Sequence, residues 1–164
     1  MNKKIIVADA GPLIAFAKIQ RLDLLKKVLG QIIAPQAVID ECLVNPKLQG
    51  AAEITDALKG GLIRQYENLQ GEKEKFLFEN LGQGEASAIL LALQLHSKLL
   101  IDERIGRRVA KQKNISIIGT AGVLLLAKEK KLIPKVASLI YELKNVGYRL
   151  SEDLVNTILI RAKE

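Results

Sequence analysis

The sequence predicts an α/β fold of three layers: a short parallel sheet with helices on both faces and extra helices at the C-terminal end. Three observations point there. Strand-length aliphatic runs alternate with helix-length segments, the pattern of repeated β–α–β units. The runs are apolar at successive positions, as in Ile5-Ile6-Val7-Ala8, which suits strands buried on both faces. A length of 164 residues, rich in aliphatics and poor in aromatics (no Trp, three Phe, three Tyr), suits one domain spanning 1–164 with an aliphatic core.

Each element has a local reason. Lys4 to Ala8 reads as a buried strand. Pro12 sits where the first turn of a helix to about Ile19 tolerates a missing N–H. Leu22 to Leu29 continues as a helix that Gly30 stops, and Gln31 to Ala34 is a second strand. Pro35 opens a helix to about Val44, broken by Asn45-Pro46. Gln49 to Lys59 is helical, Gly60-Gly61 ends it, and Leu62 to Tyr66 is strand-like. The polar, charged stretch Glu67 to Glu79 is expected to be exposed and mobile. Gly82-Gln83-Gly84 leads into a helix from Glu85 to Leu95, followed by a strand at Lys98 to Ile101 and a helix from Glu103 to Lys113. Ile115 to Ile118 is a further strand, and Gly119-Thr120 caps a helix to Lys130. Two more helices follow, Pro134 to Asn145 and Ser151 to Ala162, with Ser151 as N-cap.

Composition removes several function classes. A single cysteine, Cys42, excludes an internal disulfide, and with a single histidine, His96, it leaves no Cys/His zinc site. Both read as structural. Lys3-Lys4 is followed by only a strand-length apolar run, which is no signal peptide. No apolar stretch approaches the roughly 18–20 residues that span a bilayer, so a cytoplasmic protein without a membrane partner is expected. The net charge of +7 favours partners with phosphate backbones, although a lysine-rich solvated surface would look the same.

Four carboxylates stand out against this aliphatic background: Asp9, Glu41, Glu85 and Asp102. Asp9 and Asp102 each close a predicted strand, and ligands of open parallel sheets bind beyond the carboxyl ends of the strands. Either could instead serve as a helix N-cap. Glu41 shares a helical face with Ala37 and Val38, whereas Asp40 points away from it. Glu85 precedes Ala88, Ile89, Ala92 and Leu93 on one stripe, and also lies in a first helical turn, where the macrodipole favours an acid. Burying one ionised carboxylate costs several kcal/mol, and clustering four adds repulsion. A hard divalent cation, Mg²⁺ or Mn²⁺, offsets both terms and can serve phosphodiester hydrolysis without a Ser-His or Cys-His pair. Directly after Asp102, Arg104, Arg107, Arg108 and Lys111 fall on one helical stripe that could hold a phosphate backbone, or could simply be a solvated face.

Six segments in order carry a resemblance to a known family. They are Val7-Ala8-Asp9-Ala10-Gly11-Pro12-Leu13-Ile14-Ala15, Pro35-Gln36-Ala37-Val38-Ile39-Asp40-Glu41 and Gly82-Gln83-Gly84-Glu85-Ala86-Ser87-Ala88-Ile89. Leu100-Ile101-Asp102-Glu103-Arg104-Ile105-Gly106-Arg107, Ile118-Gly119-Thr120-Ala121-Gly122-Val123-Leu124-Leu125 and Gly147-Tyr148-Arg149-Leu150-Ser151 follow. Over nearly its whole length the chain resembles PIN-domain ribonucleases, in particular the short PIN-like proteins of the DUF3368 branch. The resemblance implies a PIN-like α/β/α fold. It also implies an acidic quartet at Asp9, Glu41, Glu85 and Asp102 that binds Mg²⁺ or Mn²⁺ and cuts RNA, and the role of toxin in a toxin–antitoxin pair. It further implies a homodimer and an antitoxin partner that covers the site. PIN ribonucleases often carry Ser or Thr close to the first and last acids, where this chain has Ala10 and Leu100, and Glu103 only approximates a further acid after the last.

Two other readings compete. One is a PIN-like nucleic-acid- or antitoxin-binding protein with little or no catalysis. The other, a nucleotide-binding or receiver domain, fits poorly. Gly82-Gln83-Gly84 follows no strand, Ser87 stands where a third glycine is needed, and no Walker-type Gly-Lys-Ser/Thr occurs.

Overall fold

A computed structural model describes residues 4–69 and 79–164. The expectation of an exposed, mobile stretch from Glu67 to Glu79 therefore falls largely outside the described residues. Five strands form one parallel sheet: β1 (Ile5–Ala8), β2 (Gln31–Pro35), β3 (Ile63–Tyr66), β4 (Lys98–Leu100) and β5 (Ile117–Ile118). Their order is β3-β2-β1-β4-β5. β1 is thus the central strand, pairing Ile6 with both Ile32 and Lys98, and Val7 with both Ile33 and Leu99. Winding reverses direction between β1 and β4, which opens a crevice beyond the carboxyl ends of those two strands.

Nine helices are present among the described residues. They are α1 (Ala10–Lys18), α2 (Leu22–Leu29), α3 (Gln36–Cys42), α4 (Ala51–Lys59), α5 (Gln83–Leu95), α6 (Arg104–Gln112), α7 (Thr120–Glu129), α8 (Val136–Asn145) and α9 (Glu152–Ala162). α5 lies across β1, β2 and β4 and touches α6, forming one helical layer; α2 and α7 pack on each other and on β2 and β5 in the other. α3 bridges α1 and α5 near the open rim. The three-layer α/β/α arrangement is the one the alternating aliphatic runs predict.

The core explains the apolar runs. Ile6, Ile32, Ile33 and Ile63 from the strands, with Leu13, Phe16, Leu24, Leu25, Ile89 and Leu91 from the helices, are fully buried. Each such side chain contributes about 1.5–3 kcal/mol relative to exposure. Among the described residues, no helix is long and apolar enough to cross a membrane.

Element ends differ from expectation by one or two residues, for physical reasons. α5 begins at Gln83, so Gly84 lies inside the helix rather than before it. Ser151 does cap α9, accepting the Leu154 N–H at 3.2 Å. Thr120 does not cap its own helix. Gly119 takes that position and the Thr120 hydroxyl turns toward Asp102 instead.

The C-terminal helices α8 and α9 are tied to α7 by a polar clasp. Lys128 donates to the Ala162 carbonyl at 2.6 Å and to the Glu164 carboxylate at 2.8 Å. The same carboxylate accepts the Val136 N–H at 2.7 Å and the Ala137 N–H at 3.1 Å, so it satisfies two first-turn donors of α8. Burial opposes charge at Glu164, but Lys128 and the two N–H groups outweigh it and hold its pKa near 2, below the ordinary 4.5. Because the folded value is the lower one, the clasp stabilises fully above pH 4.5 and fades as pH falls toward 2. Glu164→Ala should therefore cost about 1 kcal/mol at pH 7, the usual value of a helix cap. That corresponds to roughly 2–4 °C in melting temperature for a domain of this size. Thermal melts of parent and variant should converge as the pH drops through that window, and parallel curves would contradict the assignment.

Candidate metal centre and nucleic-acid interface

The crevice between β1 and β4 is where the predicted acids meet. Asp9 follows the last residue of the central strand, and its N–H donates to the Leu100 carbonyl at 2.9 Å, which locks it to the neighbouring strand. Its side chain is only 4% exposed and one carboxylate oxygen, Oδ1, has no hydrogen-bond partner. Although Asp9 occupies the N-cap position of α1, its side chain makes no cap hydrogen bond. Burial raises its pKa to about 7, helped by the charges of Glu85, Glu41 and Asp102 and resisted only by the Ala10 N–H. Among the described residues, no Lys or Arg offsets that sum. This is a buried acid built without a cationic partner.

The other three acids reach the crevice from different elements and are less enclosed. Glu85 occupies the first turn of α5, half-buried, and its pKa is raised by burial and by Glu103 and Glu41. Glu41, in the last turn of α3, corrects an expectation: it is exposed rather than buried on the Ala37/Val38 face. Its carboxylate nevertheless lies over α5, where a Cβ on Gly84 would come within 2.6 Å of Oε2. Two helices thus approach closely enough to bring Glu41 beside Glu85 because Gly84 has no side chain. Cys42, next along α3, is a buried thiol pushed up to about 12 by burial and by Glu41 and Asp9. It stays protonated and is no nucleophile. The Ser87 hydroxyl, two residues after Glu85, is likewise buried without a partner.

Asp102 does not cap the helix that follows it. Glu103 does, accepting the N–H groups of Ile105 at 3.1 Å and Gly106 at 2.6 Å. Glu103 is therefore committed to α6 rather than free to bind a ligand. Asp102 reaches across to α7, where Oδ1 accepts the Thr120 N–H at 2.7 Å and Oδ2 accepts the Thr120 hydroxyl at 2.6 Å. Oδ2 also accepts the Tyr148 hydroxyl at 2.5 Å. Burial, then the Asp102 charge and the hydrogen bond to it, hold the Tyr148 hydroxyl protonated well above the ordinary phenol range. Gly119 makes room for this junction. A Cβ there would lie 2.6 Å from Arg107 Nη1 and 2.8 Å from Asp102 Oδ1.

Among the described residues, no three acidic, His or Cys side chains are arranged to hold one ion as they stand. The donor set still suits a hard cation, because its oxygens are uncompensated and one of them is a buried orphan.

The predicted basic stripe is divided by the fold. Arg104, Arg108 and Lys111 are exposed on α6 and, with Asp102 and Arg107, line a hollow of about 540 Å³. Arg107 turns inward and donates to the Ile101 carbonyl at 2.9 Å, so it braces the loop beside Asp102 instead of facing solvent.

The parallel sheet, the acidic crevice at its switch point and the basic helix beside it define the PIN-domain class, whose members commonly have nuclease activity. Within that class the chain belongs to the PIN-domain family DUF3368, whose profile matches residues 5–164. No curated protein matches the chain. Among solved structures it is similar to a PilT N-terminus domain protein from the hyperthermophilic archaeon Sulfolobus solfataricus P2, with 13% identity over 90% of this chain and 98% of that one and a TM-score of 0.48. It is also similar to a domain of a functionally unknown protein from Methanocaldococcus jannaschii DSM 2661, with 18% identity over 71% of this chain and 90% of that one and a TM-score of 0.47.

The sequence gives Gly119 and Thr120 only a place at a helix cap, and gives Gly84 and Tyr148 no part in the site. All four lie in segments that carry the family resemblance, which was the available signal. Their pairing with Asp102 and Glu41 spans too many residues for periodicity to show.

The orphan carboxylate has a measurable cost. The folded pKa of Asp9 is the higher one, about 7 against 3.8, so metal-free stability falls as pH rises between those values. Asp9→Asn should stabilise the metal-free protein at pH 8 by up to about 4 kcal/mol, because the amide removes the buried charge that raises the Asp9 pKa from 3.8 to about 7. Near pH 4 the difference should shrink. Urea denaturation in EDTA at both pH values reads this directly, and equal stabilities at pH 8 would refute the account.

Proposed function

We propose that the protein is a divalent-metal-dependent ribonuclease that hydrolyses RNA phosphodiester bonds, acting as the toxin of a toxin–antitoxin pair. The observation that carries the reading is Asp9: a buried carboxylate with one unpartnered oxygen, facing three further acids with no cation beside it among the described residues. Asp9, Glu41, Glu85 and Asp102 would hold Mg²⁺ or Mn²⁺, with the exposed Glu41 reaching in from α3 and the half-buried Glu85 from the first turn of α5. Such an ion supplies an activated water and offsets charge developing at the scissile phosphate.

The chain's own residues do the rest. Asp9 is held rigid by the central strand, so its free oxygen keeps one position. Thr120 and Tyr148 fix the rotamer of Asp102 and leave a lone pair on Oδ1. Arg104, Arg108 and Lys111 position the phosphate backbone without reading sequence. A homodimer and an antitoxin protein that covers the acidic crevice complete the proposal. The excess positive charge around the crevice suits an acidic segment of such a partner.

A second reading, a PIN-like nucleic-acid- or antitoxin-binding protein with little or no catalysis, draws on the hydrogen bonds that already engage both oxygens of Asp102. Cleavage assays separate the two. With Mn²⁺ or Mg²⁺ the parent should cut RNA, and Asp9→Asn or Asp102→Asn should lower the rate by roughly 10²-fold or more. The same ions should raise the melting temperature of the parent and not of Asp9→Asn. An inactive parent, or activity unchanged in both variants, would leave the binding-protein reading standing.

A further inference from the structure

A larger groove opens from Asp102 on the side away from the α6 hollow. It measures about 1320 Å³ and lies between the β5–α7 corner and α9. Four arginines line it: Arg104 and Arg107 from α6, Arg149 just before α9, and Arg161 in the last turn of α9. Arg149 and Arg161 come from the C-terminal segment and belong to no basic stripe visible in the sequence.

Three features identify what the groove takes. The first is unspent charge. The ion pairs among the described residues involve Arg21, Lys27 and Lys128, so the cations of this groove are left without carboxylate partners. The second is continuity. Asp102, Arg104 and Arg107 line both this groove and the α6 hollow, so the two meet at Asp102 and a chain lying in one can pass that acid into the other. A polyanion cleaved at the acids needs cationic ground on both sides of the cut, and this layout provides it. The third is the apolar lining. Ile117, Leu150 and Leu154 line the groove along with the arginines and keep some surface exposed, and Tyr148 stands at the junction with Asp102. A duplex buries its bases and presents phosphates, whereas an unpaired strand can lay its bases on an apolar surface.

We infer that the groove between α7 and α9 binds an unpaired RNA strand on one side of the scissile phosphate, with Arg149 and Arg161 on the backbone. The inference rests on the ribonuclease reading and extends it to the C-terminal helices. It also gives the segment Gly147-Tyr148-Arg149-Leu150-Ser151 a use: Gly147, at φ +88°, turns the chain out of α8 so that Tyr148 reaches Asp102 while Arg149 faces the groove.

The test is RNA binding in EDTA, so that cleavage does not interfere, by the anisotropy of a fluorescein-labelled oligouridylate of about 16 nucleotides. Arg149 and Arg161 are both exposed, so a variant at these positions should fold normally, which a thermal melt checks. For the double variant Arg149→Gln/Arg161→Gln, the slope of log affinity against log salt should fall in magnitude by about 1.4, from two lost single-strand phosphate contacts. Affinity should drop severalfold, and Arg149→Lys/Arg161→Lys should keep the parent slope. An unchanged slope in the Gln variant overturns the groove while RNA cleavage by the parent still stands. An equal loss on an RNA duplex overturns the unpaired-strand assignment. Loss of binding to polyglutamate with RNA binding intact assigns the groove to an acidic protein segment and overturns the inference. If the parent neither binds nor cuts RNA, the ribonuclease reading falls first.

Discussion

Everything at the open rim depends on one uncompensated charge at the end of the central strand. Asp9 cannot move away from the crevice, because its N–H is bonded to Leu100 and its neighbours Ala8 and Ala10 are buried. Among the described residues it meets no cationic side chain either, since its charged neighbours are the acids of α3, α5 and the β4–α6 loop. Removing an isolated carboxylate from water costs several kcal/mol, and a natural sequence has cheap apolar alternatives at such a position. In the proposed ribonuclease, a bound cation is what would offset that charge. The same constraint also explains why the core around the site is aliphatic and tightly packed: only a rigid sheet keeps four like charges facing one another.

The rim is completed from far along the chain. Asp102 is oriented by Thr120, 18 residues later, and by Tyr148, 46 residues later. PIN ribonucleases often place a hydroxyl residue close to such an acid, where this chain has Leu100. The hydroxyls arrive through tertiary structure instead. That arrangement makes the C-terminal helices part of the site. The clasp of Lys128 and Glu164 anchors α9 to α7 and α8, so Tyr148, Arg149 and Arg161 are held against the β5–α7 corner.

Particular residues show where sequence reasoning succeeds. Asp9 was legible because a charge ending an all-apolar strand has few explanations. Ser151 was legible because a cap is a local hydrogen bond. Glu41 was half legible: helical spacing gave its direction, but a short helix at the rim leaves its end exposed, and only the close approach of Gly84 brings its carboxylate toward Glu85. Arg107 was legible as part of a basic stripe, but its hydrogen bond to the Ile101 carbonyl across a turn leaves no trace in periodicity.

By itself, then, the sequence determined the strand–helix alternation, the aliphatic core and the four acids on which a metal site would rest. These follow from short-range rules, such as apolar periodicity, capping and the cost of a charge among hydrophobes. Only the tertiary structure decided which acid is fully buried, which oxygens are already spent and which arginines line the groove. Those facts depend on distances between residues remote in the chain, set by how the helices pack on the sheet.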